Sequence, residues 1–130
     1  MDHWTHGKCP ITAADFIELC DRYGLAVEVA LAQGIMESRL GTSGGRPCDT
    51  RNMFNVGNVD SGASHVMPSW IVGMDAYCKL MTHYGLTAYD LINRNFERLD
   101  GQGRYASDPQ YVQKFKIIIN QIRAIMARFC

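Results

Sequence analysis

The stretch ALAQGIMESRLGTSGG, residues 30–45, decides how the rest of the chain is interpreted. Its first part is mostly apolar or small, and this composition predicts a buried helix from about Ala26 to Leu40. Gly41 follows as the predicted C-terminal stop of that helix. One turn before the glycine stands a carboxylate, Glu37. A buried helix that ends on an acid requires an explanation.

The faces of this helix separate when successive residues are placed about 100° apart. Two faces are apolar, and a third carries residues spaced i, i+3, i+4 and i+7: Ala30, Gln33, Gly34 and Glu37. Small side chains beside an acid leave room, so this face predicts a groove next to Glu37. A glycine inside a helix costs about 1 kcal/mol relative to alanine, which indicates that Gly34 serves either packing or access.

The position of Glu37 also predicts its acidity. The helix macrodipole is negative in the last turn, and apolar neighbours remove water from the carboxylate. Both effects disfavour the anion and predict a raised pKa, and a carboxylic acid that keeps its proton near neutral pH suits general acid catalysis. The alternative is a structural glutamate that hydrogen-bonds the following loop.

Length, composition and charge favour one domain without nucleic acid as a partner. The 130 residues include 13 Lys and Arg and 13 Asp and Glu, so the formal net charge is zero, and a basic face is not indicated. The N-terminal sequence lacks the apolar core of a signal peptide, and no apolar run approaches the ~18 residues of a membrane span. We therefore expect synthesis in the cytoplasm and no membrane insertion.

The cysteines and histidines do not indicate a metal site. Five cysteines occur, none in CxxC spacing: Cys9, Cys20, Cys48, Cys78 and Cys130. We interpret them as free thiols of a reducing compartment, with one or two disulfides after release from the cell as the alternative. His3 and His6 are the only close histidine pair, which is too few ligands for zinc. We expect no metal and no cofactor.

Helical patterns dominate the rest of the sequence. We predict an N-terminal tail over residues 1–11 and one domain over residues 12–130, which opens with a helix capped by Thr12 and ended by Gly24. Residues 41–68 are rich in Gly, Ser, Asn and Asp. This segment is too long for an idle connection and predicts a functional loop or a small β-hairpin.

Three further helices are predicted after this segment. The first opens at Pro68 and carries a stripe typical of a core: Trp70, Met74, Tyr77 and Met81. A short helix follows Thr87, and the last begins at Asp108 and Pro109, with proline at its favoured first position. The sequence therefore predicts a mainly α fold of about five helices with little strand.

Three segments together resemble a known family. AQGIMESRLGTSG, residues 32–44, resembles the AQ-x-x-x-E-S-x-x-G-x-S signature of bacterial cell-wall glucosaminidases of the lysozyme superfamily. NMFNVGN, residues 52–58, is similar to their Asn-x-Phe segment, and RYASDPQYVQKF, residues 104–115, is similar to their Tyr-Ala-Thr-Asp-Pro-x-Tyr segment. The order and separation agree over roughly residues 12–122. NVGNVDSG also resembles lysozyme-like domains of phage particles and phage lysins.

The resemblance implies a lysozyme-like fold and a set of site residues. Glu37 matches the catalytic acid of the family, and Tyr105 matches a tyrosine that lines the site near the acid. The residues that it implies for substrate binding are Gln33, Ser38, Asn52, Phe54 and Asn58. The family often has an aromatic residue where this chain has Arg39, and a glycine where it has Arg104, so the detailed sugar contacts are expected to differ.

The implied reaction is cleavage of β-1,4 bonds between N-acetyl amino sugars of peptidoglycan, with Glu37 as the general acid. A hydrolase usually adds a second carboxylate, for which Asp60 is the first candidate and Asp49 the second, although Asp60 also fits an ordinary turn. A lytic transglycosylase needs none, because one glutamate acts as acid and then base while the 6-hydroxyl of the sugar attacks. Asp108 is better explained as a helix cap.

Two non-catalytic interpretations stay open: a phage virion or glycan-binding module that keeps the fold, and an unrelated helical interaction domain. The presence of both Glu37 and Tyr105 favours an enzyme, since a site without activity has no physical need for a buried acid. The expected partner is the glycan strand of peptidoglycan. Without a signal peptide, we expect that a phage holin, a virion or another export route brings the protein to the cell wall.

Overall fold

The computed structural model describes residues 1, 5–42, 45, 49–54, 56, 66–83 and 110–127. Four helices have both ends in this part of the chain: α1 (Ala13–Tyr23), α2 (Val27–Ser38), α3 (Trp70–His83) and α4 (Tyr111–Met126). No strand occurs among the described residues, and the predicted mainly helical fold is confirmed. The helix predicted after Thr87 and most of the predicted loop lie outside the described residues.

Helix α1 begins and ends as predicted. The hydroxyl oxygen of Thr12 accepts a hydrogen bond from the backbone N–H of Asp15 at 3.2 Å, which caps the helix start. Gly24 ends the helix with φ 66°, a left-handed conformation that glycine adopts without the steric cost of a Cβ atom. The inner face of α1 buries Phe16, Leu19 and Cys20.

Helix α2 ends two residues earlier than predicted. Ser38 is its last residue, and Arg39 and Leu40 then take left-handed φ values of 50° and 55°. The backbone N–H of Leu40 donates to the carbonyl oxygen of Gly34 at 2.9 Å, and the Leu40 side chain is completely buried. Burial of this side chain offsets the left-handed backbone, which costs about 1–2 kcal/mol per residue. Gly41 therefore follows a helix that has already ended.

The core forms where the four helices meet. Helix α2 packs against α4 and α1, and α1 also packs against α3. The largest side chains that are buried almost completely are Tyr77, Phe16, Phe54, Phe115, Leu40, Met53, Met74, Met81 and Ile119. Three members of the predicted stripe on α3 are thus confirmed as core, while Trp70 is only partly buried. Where α1 meets α3, the thiols of Cys20 and Cys78 are completely buried and hydrogen-bonded to each other.

The segment between α2 and α3 is tied to the start of α3. The backbone N–H of Met67 donates to the carbonyl oxygen of Thr50 at 2.8 Å. In the other direction, Nε of Arg51 donates to the carbonyl oxygen of Met67 at 2.8 Å. These two bonds fix the chain around residues 49–54, and thereby place Phe54 against the helices.

Part of the segment before α1 also contacts the core. Thr5 and Ile11 are each 2% exposed, and Met1 and Cys9 pack against the buried cluster. The boundary that we predicted between a tail and a domain stays a prediction. None of the helices in the described ranges is long and apolar enough to cross a membrane.

Candidate active site

Glu37 lies in the last turn of α2, and its side chain is partly buried. Burial raises the pKa of its carboxyl from the ordinary 4.5 to about 7, and a hydrogen bond with Tyr111 opposes part of this rise. Desolvation is one of the two causes predicted from the sequence, the other being the helix macrodipole. Near neutral pH the protonated and ionised forms of Glu37 are therefore both well populated, and the group is able to give up a proton or to take one.

The hydroxyl partner of Glu37 is Tyr111, the first residue of α4. Tyr111 is 7% exposed, so its ring belongs to the core while its hydroxyl reaches the acid. From the sequence we predicted a role for Tyr105 but no role for Tyr111. A signal was available, since Tyr111 is the second tyrosine of the RYASDPQY segment and stands at a predicted helix start.

Gln33 lies one turn before Glu37 on α2 and is completely buried. Its Oε1 atom accepts a hydrogen bond from the hydroxyl of Tyr77 on α3. Its Nε2 atom donates to the hydroxyl oxygen of Tyr111 on α4 at 3.3 Å. One amide therefore connects three helices, and the structure places this predicted substrate-binding residue behind Glu37 in the core.

Gly34 has a packing role. A Cβ atom built at this position would lie 2.6 Å from Cδ2 of Leu40 and 3.2 Å from Cε1 of Phe54. Phe54 is 1% exposed and stacks on Tyr77 with ring centroids 3.7 Å apart and an interplanar angle of 8°. The absent side chain lets these neighbours close over α2. The groove predicted along this face was therefore wrong at Ala30, Gln33 and Gly34, where the face is buried.

Two further residues predicted to bind substrate hold the backbone near the site. Asn52 is completely buried; its Nδ2 donates to the carbonyl oxygen of Val56 at 2.9 Å, and its Oδ1 accepts from the N–H of Val56 at 3.0 Å. Ser38 is 2% exposed, and its hydroxyl oxygen accepts from the backbone N–H of Gly41 at 2.9 Å. The sugar contacts predicted for Asn52, Ser38 and Phe54 stay predictions.

The other predicted site residues, Tyr105, Asp60 and Asn58, lie outside the described residues. The predicted helix cap Asp108 lies outside them as well. Asp49, the second candidate for a second carboxylate, is described and is exposed. In the described part of the chain, no three His, Cys, Asp or Glu side chains form a group that could hold a metal ion.

These contacts define what the site is able to do. A carboxylic acid is held at the end of a buried helix, partly removed from water and hydrogen-bonded by a tyrosine. Such a group retains a proton near neutral pH and can deliver it to a leaving oxygen. A carboxyl with these properties is chemically suited to general acid catalysis.

Comparison with known proteins identifies the family. The chain belongs to the glucosaminidase family, whose model, described as mannosyl-glycoprotein endo-β-N-acetylglucosaminidase, matches residues 13–124. Among solved structures, the chain is similar to the glycoside hydrolase domain of FlgJ from Salmonella typhimurium, with 20% identity and a TM-score of 0.61 over 90% of this chain and 87% of that one. A comparison with curated proteins gives no match. The predicted family and lysozyme-like fold are confirmed.

Proposed function

We propose that this protein is a peptidoglycan-cleaving glycosidase that cuts β-1,4 bonds between N-acetyl amino sugars, with Glu37 as the general acid. The observation that carries the proposal is the partly buried carboxyl of Glu37, whose pKa is about 7 and which is hydrogen-bonded to Tyr111. The family description names an endo-β-N-acetylglucosaminidase, which supports the class of bond. The likeness of the three sequence segments to cell-wall enzymes supports peptidoglycan as the polymer.

Glu37 begins the reaction by protonating the glycosidic oxygen while the bond to the anomeric carbon breaks and positive charge develops on the sugar ring. The acid becomes a carboxylate in a partly desolvated position, where an anion without partners is costly. The hydroxyl of Tyr111 offsets part of this cost, because a hydrogen bond to a charged acceptor is stronger than one to a neutral acceptor.

The second half of the reaction has two routes. In hydrolysis, a second carboxylate activates water or forms a covalent intermediate, and we propose Asp60 for this role, with Tyr105 lining the site. In transglycosylation, Glu37 returns as the base and takes the proton of the 6-hydroxyl that attacks the anomeric carbon. The family description as a glucosaminidase favours hydrolysis.

The test incubates the purified protein with peptidoglycan and identifies the soluble fragments by mass spectrometry. We expect the wild type to release fragments with reducing ends, whereas anhydro ends would indicate the transglycosylase. The terminal sugar shows which β-1,4 bond is cut. Asp60→Asn tests the second carboxylate, and full activity in this variant would exclude Asp60 as an essential group.

The assignment of the acid is tested by Glu37→Gln, with Glu28→Gln as the matched control. Glu28 is a partly buried glutamate in the first turn of the same helix. We expect Glu37→Gln to abolish most of the release and Glu28→Gln to preserve it. Absence of release by the wild type from several wall types would contradict the proposed function. Equal release by Glu37→Gln would contradict the assigned acid.

A further inference from the structure

A chain of buried hydrogen bonds runs from α3 to Glu37. The hydroxyl of Tyr77 donates to Oε1 of Gln33, and Nε2 of Gln33 donates to the hydroxyl oxygen of Tyr111 at 3.3 Å. The hydroxyl of Tyr111 is in turn hydrogen-bonded to Glu37. Tyr77 and Gln33 are completely buried, and Tyr111 is nearly so.

The chemistry of the amide gives this chain a direction. An amide nitrogen only donates hydrogen bonds, and an amide oxygen only accepts them. Because Nε2 of Gln33 donates to the oxygen of Tyr111, Gln33 does not accept the hydroxyl proton of Tyr111 and does not compete with Glu37 for it. A reversed amide would turn Oε1 toward Tyr111 and compete with Glu37 for that proton. The orientation of Gln33 therefore decides whether Tyr111 acts as a donor to the acid.

Packing holds Tyr77, the residue farthest from Glu37 in this series of hydrogen bonds, in place. The ring of Tyr77 is stacked on Phe54 with centroids 3.7 Å apart, and both rings are almost completely buried. Gly34 permits this contact, since a Cβ atom there would lie 3.2 Å from Phe54. The hydroxyl of Tyr77 therefore has little freedom to move, and it presents its proton to Oε1 of Gln33.

We propose that Gln33 is a positioning residue that directs the hydroxyl proton of Tyr111 onto one oxygen of Glu37, which leaves the acidic proton on the other oxygen. When a carboxylic acid accepts a hydrogen bond, its carbonyl oxygen is the better acceptor, so the O–H group is the one left for the glycosidic oxygen. The inference rests on the proposed role of Glu37 as the general acid. It adds that the acid is orientated from the core, by residues that do not touch the substrate.

Three variants test this role. Tyr111→Phe removes the hydroxyl that donates to Glu37, and Gln33→Met removes the amide while it preserves most of the volume. Tyr23→Phe is the matched control, because Tyr23 also donates a hydrogen bond to a carboxylate, that of Asp75 at 2.5 Å, away from this chain of contacts. The readouts are kcat and KM across pH, and the titration of Glu37 followed by carbon-13 NMR of its carboxyl.

We expect Tyr111→Phe and Gln33→Met to lower kcat by roughly tenfold with little change in KM, as for an interaction that acts in the transition state. Loss of a donor to the anion raises the pKa of Glu37, so the basic limb of the pH profile moves up by roughly half to one unit in both variants. The double variant moves the basic limb little further, because both substitutions interrupt the same series of hydrogen bonds. Tyr23→Phe leaves the limb unchanged.

The outcomes separate this inference from the proposed function. An active wild type whose basic limb and Glu37 titration do not move in either Tyr111→Phe or Gln33→Met overturns the positioning role. A shift in Tyr111→Phe alone also overturns it, since Gln33 would then have no influence on the acid. A wild type without activity, in which both variants still move the Glu37 titration, overturns the proposed function and supports the direction of the hydrogen bonds.

Discussion

Glu37 and Asp75 each accept a hydrogen bond from a tyrosine hydroxyl, yet their pKa values move in opposite directions. Burial raises the pKa of Glu37 to about 7, and Tyr111 opposes this only in part. Asp75 on α3 lies nearer to water; the hydrogen bond from Tyr23 is the main cause that lowers its pKa, and Lys79 adds to it. The same kind of donor therefore gives opposite results, because water has been removed from one carboxylate and retained at the other.

The difference separates a chemical role from a structural one. At Asp75 the anion is stable, with the hydroxyl of Tyr23 at 2.5 Å and Nζ of Lys79 at 3.1 Å, and the group ties α1 to α3. At Glu37 the anion is disfavoured. The carboxyl therefore keeps its proton up to a pH near its pKa of about 7, where the proton can be transferred to a substrate. Desolvation, rather than the identity of the partner, is what makes one of these carboxylates a candidate catalyst.

The largest expected difference between the two carboxylates is in activity. We expect Glu37→Gln to lower peptidoglycan cleavage by about 100-fold to 10,000-fold, because an amide cannot donate the proton that general acid catalysis supplies. Asp75→Asn, the control, is expected to retain activity, since Asp75 has no part in the proposed chemistry. Comparable losses in the two variants, measured as initial rates of fragment release, would contradict the division of roles.

The pH dependence of stability should have opposite signs at the two sites. Glu37 binds its proton more tightly in the folded state, so its contribution is complete below the ordinary pKa of 4.5 and is lost as pH rises through about 7. The loss amounts to up to about 3 kcal/mol in the free energy of unfolding. We expect urea unfolding at pH 5 and pH 8 to show this loss in the wild type and not in Glu37→Gln. An equal loss of stability in the wild type and in Glu37→Gln would mean that other groups cause the loss.

Asp75 should contribute to stability with the opposite dependence on pH. Its folded pKa is lowered from 3.8, so its contribution is present above that value and is lost as pH falls through the folded pKa. We expect the stability of Asp75→Asn to depend less on pH than that of the wild type below about pH 4. A steeper acid dependence in the variant would contradict the assigned sign.

Packing next to the acid gives a third, smaller expected effect. A methyl group at Gly34 must displace the buried Leu40 or the ring of Phe54, and overpacking of this kind costs about 1–3 kcal/mol. The gain of about 1 kcal/mol from alanine in a helix offsets part of that cost. We therefore expect Gly34→Ala to lower the urea midpoint and to reduce activity, since Phe54 supports Tyr77. A variant as stable and active as the wild type would show that the site tolerates this shift.

The smallest expected effect is a change in the pKa of Asp75 that leaves activity unchanged. Tyr23→Phe removes the main cause of the lowered pKa of Asp75, so that pKa should rise toward its ordinary value. Activity should not change, because Tyr23 lies outside the chain of contacts to Glu37. NMR titration of Asp75 together with the rate of cleavage checks both expectations, and a loss of activity would mean that the two carboxylates are coupled.

Local signals in the sequence were sufficient to predict the mainly helical fold and the direction in which the pKa of Glu37 moves. Thr12 and Gly24 cap α1 as expected. The last-turn position and apolar neighbours of Glu37 predicted that its pKa is raised, as it is. The end of α2 was misplaced, because it depends on the burial of Leu40, which a local pattern does not reveal. In such cases tertiary packing overrides the signal of a glycine stop.

The missed parts of the site depend on contacts between distant positions. Gln33 and Tyr111 are separated by 78 residues and Gln33 and Tyr77 by 44, and no periodicity links such pairs. The face with Ala30 and Gly34 was interpreted as a groove because small residues create room. Whether a neighbour fills that room depends on Phe54, whose position is fixed by a segment without regular periodicity.

The most direct test of the central claim is the titration of Glu37 in the wild-type protein, followed by carbon-13 NMR of its carboxyl and assigned with Glu37→Gln. Desolvation at the end of α2 predicts a pKa of about 7, within the range in which a general acid is protonated and still able to transfer its proton. A pKa near the ordinary 4.5 would mean that Glu37 is a solvated carboxylate, and would contradict its assignment as the acid of this site.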